Sequence, residues 1–507
     1  MQFKRNIITA ILIGGLAGTS LVSCSKFLQE SSQDLQYVHN YSQLDEILIG
    51  NGYEAHTATY ANLSYTEQTA YVYFPWLNLM DDDITEYVAA PLATDLRASG
   101  FGFYTWQKNP FVSQTFVPFV DDTWKKVYAN INSVNTIAEK ATELSDDPAQ
   151  LKRIRGEALF LRAGYYFYMI NTYAGAYNPA TAATDAGVPL KVTAFVEDDF
   201  FDRSTQQKVY QQIISDLNEA EQDLTGVTQK SIYRADINAV NLLQSRVYLF
   251  MQDWGNALAA ANKVLSRKPD LFSLDAYVNQ TSFFRATSPE AIFSQGNNAM
   301  VVITAENQRA TFQPSSELLS LFGAKDLRKS AFFEMDNQGK YRYTKVYRST
   351  TNNITPDNMY SDNFFLRVAE AYLNKAEAEA MLGQPAEANA AINTLRRARF
   401  ADADFVAVDY AGADLVSFIR DERRRELCHE GQRWFDLKRY AVNKQYPFTK
   451  TIVHPYSAFD GSGAPFLKAT LQLYPNDAAY LLPIPDYVIS FNQGVMAQNP
   501  DRPDRTF

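Results

Sequence analysis

Cysteine is almost absent from the 507 residues: only Cys24 and Cys428 occur. A disulfide framework is therefore excluded, and packing has to hold the fold. Histidine is nearly as scarce, with His39, His56, His429 and His454. None forms a His-x-x-x-His pair or a Cys/His cluster, so no metal is expected, and no other cofactor. Cys428 and His429 are neighbours, but adjacent side chains on a helix point about 100° apart, which speaks against a nucleophile and its base. The Gly-x-Ser-x-Gly elbow and the Gly-x-x-x-x-Gly-Lys-[Ser/Thr] phosphate loop are missing. So is any surplus of positive charge: the net charge is −10, and nucleic acid is not an expected partner. Beyond the N-terminus no run is long and apolar enough to span a bilayer. These absences favour a protein that is not an enzyme. Carboxylates are abundant, however, and a two-carboxylate glycosidase remains an alternative.

The N-terminus, MQFKRNIITAILIGGLAGTSLVSC, places Lys4 and Arg5 before an apolar run from Ile7 to about Val22. That is the layout of a secretory signal, too short for a stable membrane span. Leu21-Val22-Ser23-Cys24 resembles the bacterial lipobox, in which the Cys thiol receives a diacylglycerol and becomes the new N-terminus. Ser25 follows rather than Asp, so nothing obvious retains the protein in an inner membrane. The expected organisation is a signal peptide over 1–23, a lipid anchor and polar tether over 24–36 with Cys24 lipidated, and a single domain over 37–507.

Spacings of three and four predict helices over 121–142 (Trp124, Val127, Tyr128, Ile131, Val134, Ile137), 151–172 (Ile154, Ala158, Leu161, Tyr165, Tyr168) and 205–224 (Val209, Ile213, Leu217, Leu224). Two further segments, 238–269 and 366–399, resemble the tetratricopeptide repeat. Small residues such as Ala257, Ala261, Ala376 and Ala388 let two antiparallel helices approach closely. The two lie too far apart to be tandem in the chain. Residues 51–118 and 270–362 are rich in Asn, Thr, Ser, Tyr and Phe without helical period, and 440–485 is punctuated by Pro and Gly. The expected architecture is all-α: tetratricopeptide-like helix pairs forming an α-α superhelical scaffold with long irregular loop insertions.

Four segments, in order along the chain, resemble the SusD/RagB family. They are CSKFLQE from Cys24, FFLRVAEAYLNKAEAEA at 364–380, RDERRRELCHEGQRWFDLKR from Arg420, and LLPIPDYVISFNQGVMAQNP at 481–500. The chain departs from the family's Asn-Pro-Gly-Tyr ending, reading NPDRPDR instead. The resemblance implies four tetratricopeptide-like helix pairs and binding of a glycan, or less often a peptide, at the outer-membrane surface. It also implies a SusC-like TonB-dependent transporter as partner. The expected function is a surface glycan-binding lipoprotein; the alternatives are a peptide-binding relative and a tetratricopeptide scaffold for outer-membrane assembly.

Sugar binding requires exposed aromatic faces flanked by hydrogen-bonding groups. Of the five tryptophans, Trp124 belongs to an amphipathic stripe, Trp254 occupies the turn of a helix pair and Trp434 lies within the motif from Arg420, and all three read as core. Trp76 and Trp106 fall in the non-periodic insertion, Trp76 near Tyr73, Asn78 and the run Asp81-Asp82-Asp83. Candidate ligand residues are Tyr73, Trp76, Asn78, Asp82 and Trp106, with Phe284, Arg285, Asn297 and Asn298 as an opposing wall. No family motif covers these loops, so none transfers by resemblance. The Asp run also reads as a turn or helix N-terminus, or as a calcium site lacking EF-hand spacing. In RDERRRELCHEGQRWFDLKRY, Ile419, Arg423, Glu426, Leu427, Glu430, Trp434 and Leu437 step down one face of a single helix. Charges on such a mixed face must pair, and Arg423 with Glu426 or Glu430 is the expected buried ion pair, a fastener and not a catalytic group.

Overall fold

The computed structural model describes residues 38–54, 73–87, 95–195, 197, 199–229, 231–276, 283–284, 287–295, 312–337, 339–345, 365–460 and 464–505. Among the described residues nine helices carry the scaffold: α1 (Thr123–Glu143), α2 (Pro148–Tyr173), α3 (Gln206–Leu224), α4 (Ile237–Phe250), α5 (Trp254–Arg267), α6 (Val368–Met381), α7 (Pro385–Arg397), α8 (Gly412–Leu427) and α9 (Arg433–Ala441). Their starts are written locally. Asp147, Thr205, Asp236 and Asp253 each accept a hydrogen bond from an amide of the following turn, a cap worth about 1 kcal/mol. Gly383 turns the chain between α6 and α7 at φ +75°, a conformation open to glycine without strain.

The helices stack consecutively, α1 on α2 through to α7 on α6, with α8 also against α6. Direct packing of α5 on α6 resolves the spacing of the two repeat-like segments. They are distant in sequence yet adjacent in space. The small residues work as their spacing predicts: the Ser245 hydroxyl of α4 donates directly to the Ala257 carbonyl of α5 at 2.9 Å.

α1 and α3 bury one stripe each, as their periodicity predicts. α2 differs. From Gly156 to Tyr173 nearly every side chain is buried, because α1 and α3 cover opposite faces and loops close the rest. At Gly156 an added Cβ would meet Asp223 Cβ and Leu224 Cγ at 2.9 Å, so glycine sets the α2–α3 distance. Two of its buried tyrosines are satisfied by backbone: Tyr165 and Tyr166 donate to the Gly52 and Lys191 carbonyls, both at 2.7 Å.

Strand content is small. Among the described residues it amounts to four antiparallel pairs, β1 (Ile84–Glu86) with β3 (Phe312–Pro314), β2 (Ala291–Phe293) with β6 (Leu366–Arg367), β4 (Phe333–Met335) with β5 (Tyr341–Tyr343), and β7 (Ile452–Phe459) with β8 (Pro465–Leu473). The last pair lies where the Pro- and Gly-rich composition of 440–485 predicts loop. Pro455 is accommodated because each strand of a two-stranded ribbon keeps one edge free of the ladder. Among the described residues no helix is long and apolar enough to cross a membrane.

Candidate functional site

The aromatic insertion does not present its tryptophans to solvent. Trp76 is buried, stacked on Phe103 at 5.0 Å, with Phe74 edge-on at 5.7 Å. Trp106 is wholly buried; its indole N–H donates to Met80 O at 2.9 Å and its ring stacks on His454 at 4.3 Å. Tyr73 is buried and donates to Asn130 Oδ1 at 2.8 Å. Asn78 is buried and accepts from the Gly431 amide at 3.1 Å. Phe284 is buried under the guanidinium of Arg367. These five therefore have protein, not ligand, on their faces, contrary to the expectation from loop composition. Arg285, Asn297 and Asn298 lie outside the described residues.

Asp82 corrects the same expectation in another way. It is buried and takes Arg433 in a two-pronged pair at 2.7 and 2.9 Å, with Lys450 at 2.6 Å and Arg424 at 3.1 Å. Asp83 pairs with Arg424 at 2.6 Å. The three carboxylates of the run offer oxygens within 4.8 Å of one another, a spacing that suits a cation. The cations here are guanidinium and ammonium groups of the chain itself, brought from α8, α9 and Lys450. Burial alone would raise Asp82; Arg433 and Arg424 outweigh it and hold the carboxyl well below the usual range.

The motif at 420–440 is not one helix. α8 ends at Leu427 and α9 starts at Arg433, with His429 at φ +59° and Gly431 at +69° between them. The break turns Glu430 and Trp434 out of register with Glu426. Arg423 consequently pairs with neither glutamate; it donates to Asp436 at 2.8 Å and to Asn374 Oδ1 at 2.8 Å. Glu426 instead receives Arg367 at 2.6 Å, Arg399 at 2.8 Å and Arg328 at 3.1 Å. Glu430 receives Lys345 at 2.6 Å and Arg367 at 2.9 Å. Glu290 completes the cluster on Arg399 at 2.7 Å. All are buried. Cys428 is buried beside them and pushed up to about 12 by burial, so its thiol is not a nucleophile. Burial and Lys345 push His429 down to about 3.

The cluster sets an acid limit. Burial opposes ionisation of Glu422, but Arg328 and Arg425 carry it down to about 2, and Glu426, Glu430, Asp436 and Glu377 are lowered in the same manner. A depressed folded pKa gives stability that is complete above the unfolded value and lost as pH falls through the folded one. Cooperative unfolding is therefore expected as pH drops from about 4 to about 2, read by far-UV circular dichroism. Retention of native helix signal below pH 2 would contradict it.

The roots of the non-periodic segments come together. The Glu54 amide donates to Gln295 Oε1 at 2.9 Å, β1 pairs with β3, β2 with β6, and the Phe284 amide donates to Lys345 O at 2.9 Å. Among the exposed aromatic residues, three come from two segments that meet. On the short helix Asp486–Phe491, Tyr487 and Phe491 are four residues apart and share a face. Phe491, 67% exposed, meets Phe200, 47% exposed, edge to face at 6.3 Å. The Phe201 amide donates to Asn492 Oδ1 at 2.8 Å and fixes the two segments together, with Asp199, Asp202 and Gln493 exposed around the rings.

Two family models match in order: one described as "Starch-binding associating with outer membrane" over residues 26–249, and that of the SusD family over 286–501. The chain belongs to the SusD/RagB family. SusD-like proteins P2 and P38 of Formosa agariphila are similar. P2 is 25% identical over 434 residues, 74% of this chain and 79% of that protein; P38 is 26% identical over 378 residues, 62% and 71%. A SusD superfamily protein from Bacteroides vulgatus superposes with TM-score 0.71 at 20% identity, over 92% of this chain and 100% of that one. A laminarin-binding SusD-like protein superposes with TM-score 0.61 at 19% identity, over 91% and 100%. At such identities the SusD structures establish the fold. The tetratricopeptide-like scaffold of the family is thus the stack α1–α7, and the motif from Arg420 is its buried ionic centre. Sequence reading missed Phe200, Tyr487 and Phe491. The available signals were the aromatic pair in DDFFDR and the four-residue spacing after Pro485.

Proposed function

We propose that the protein is a non-enzymatic, lipid-anchored receptor on the outer-membrane surface that captures a glycan and passes it to a SusC-like TonB-dependent transporter. Cys24 would carry the lipid, and residues 24–36 would serve as tether. The carrying observation is membership of a family described as starch-binding and outer-membrane associated, supported by a laminarin-binding protein of the same fold. The arginine- and lysine-paired carboxylates Asp82, Glu422, Glu426 and Glu430 are held ionised and buried, which suits a structural role and not that of a glycosidase's protonated acid.

The aromatic shelf of Phe200, Tyr487 and Phe491 is a described surface that meets the needs of sugar stacking, with apolar faces exposed and exposed Asp and Gln residues in the same segments. Affinity electrophoresis in gels containing laminarin or starch tests both levels of the reading. Glycan retardation without turnover is expected, and the double variant Phe200→Ala, Phe491→Ala should weaken it at least about tenfold, or 1.4 kcal/mol, with little change in melting temperature. Retardation unchanged in the variant removes the shelf from the ligand surface. Absence of binding across a panel of glycans, with binding to peptides instead, removes the glycan reading.

A further inference from the structure

The NPDRPDR ending, where the chain departs from its family's pattern, holds an unbalanced pair of arginines. Arg502 is 3% exposed. Its Nη2 donates to Ala479 O at 3.0 Å, while Nε and Nη1, both buried, have no acceptor. Arg505 donates through Nη1 to Gln472 O at 3.1 Å and through Nη2 to Asp477 Oδ2 at 2.6 Å, and its buried Nε also lacks an acceptor. Asp477 is the carboxylate between them, and it is committed: its second oxygen accepts from the Ala479 amide at 2.8 Å. The nearby carboxylate is thus taken by Arg505, and burial first and then the Arg505 charge bring Arg502 down to about 9. A guanidinium does not deprotonate near neutrality, so charge and N–H groups both remain unmet. In four other buried pairs, Arg162 with Asp216, Arg246 with Glu370, Arg367 with Glu290 and Arg439 with Glu377, the guanidinium faces a carboxylate at 2.5–3.3 Å. Arg502 lies under a single turn of chain, with Asp501, Pro503 and Asp504 exposed over it.

We propose that Arg502 and Arg505 form a binding site for a small oxyanion, sulfate or carboxylate. The planar guanidinium fork matches two oxygens of such a group, and Nε with Nη1 of Arg502 is one of its two-pronged edges. The anion supplies the missing negative charge and pins the C-terminal segment to the turn at Asp477–Tyr480. The site stands independently of the glycan reading. Its oxyanion comes either from the medium or from an acidic sugar.

Thermal unfolding of the full chain in sodium sulfate, against sodium chloride at equal ionic strength, tests this. Sulfate is expected to raise the melting temperature saturably, by at least about 2 °C beyond chloride. Arg502→Gln should abolish the difference, and Arg505→Lys, which keeps the charge and removes the fork, should weaken it. D-glucuronate in a second arm separates the sources: a rise matching that of sulfate assigns the site to sugar carboxylates as well, and a rise with sulfate alone assigns it to the inorganic ion. Equal shifts in sulfate and chloride, with none in glucuronate, overturn the site, as does a sulfate effect undiminished in both variants.

Discussion

Glu426→Ala is expected to destabilise the protein by about 3–5 kcal/mol, a large part of the 5–15 kcal/mol that holds a typical domain. The carboxylate sits among Arg328, Arg367 and Arg399, all buried. Removing it leaves guanidinium groups facing one another at low dielectric, with only Glu290, Glu422, Glu430 and Asp326 to share. Glu426→Gln keeps the shape and still removes the charge, so it should be nearly as damaging. Urea denaturation gives the number, and glycan affinity per folded molecule should be unchanged because no shelf residue is near the cluster in the network described. A stability loss under about 1 kcal/mol would show that the cluster is over-supplied with negative charge.

Trp106→Ala is expected to cost a comparable amount, about 3–5 kcal/mol, and again without a direct effect on ligand. The indole is wholly buried, stacks on His454, and supplies the hydrogen bond to Met80 O. Met80 directly precedes the Asp run, so losing the indole loosens the segment that places Asp82 against Arg433. Trp106 also sits at φ +50°, a backbone state that a bulky residue holds only when its surroundings insist on it. A folded variant of near-normal stability but lost glycan binding would return Trp106 to the ligand surface.

What could be read from the sequence depended on how local the cause was. The stripes of α1 and α3 are decided within a few residues, and the helices appear where their period places them. α2 was legible as a helix and illegible as a fully buried one, because its second face is covered by α3, some thirty residues further along the chain. The tryptophans of the insertion misled for the same reason. A loop-like neighbourhood says nothing about Phe103 under Trp76, or about His454, which arrives from β7 to stack on Trp106. In the 420–440 motif the requirement for pairing was visible but the partners were not. Helical spacing nominated Glu426 and Glu430 for Arg423, while Gly431 and the left-handed His429 broke the helix that the spacing assumed. Gly431 itself was the available warning, since glycine after a periodic run marks a helix end.

The contacts of the Asp run reach unusually far along the chain. Asp82 meets Arg433 across 351 positions, Asp83 meets Arg424 across 341, and the Asp81 carbonyl meets His454 across 373. Pairings of such separation close late, since the loop entropy has to be overcome first. During synthesis the early segment emerges with three adjacent carboxylates and no counter-charge, and the arginines that neutralise them are made near the end. The contact of the Asp run with α8 and α9 therefore cannot form until almost all of the chain exists. For the exported, lipid-anchored receptor proposed above, that order has a consequence: the last-made part is the clasp, and it can close only once the whole chain is present.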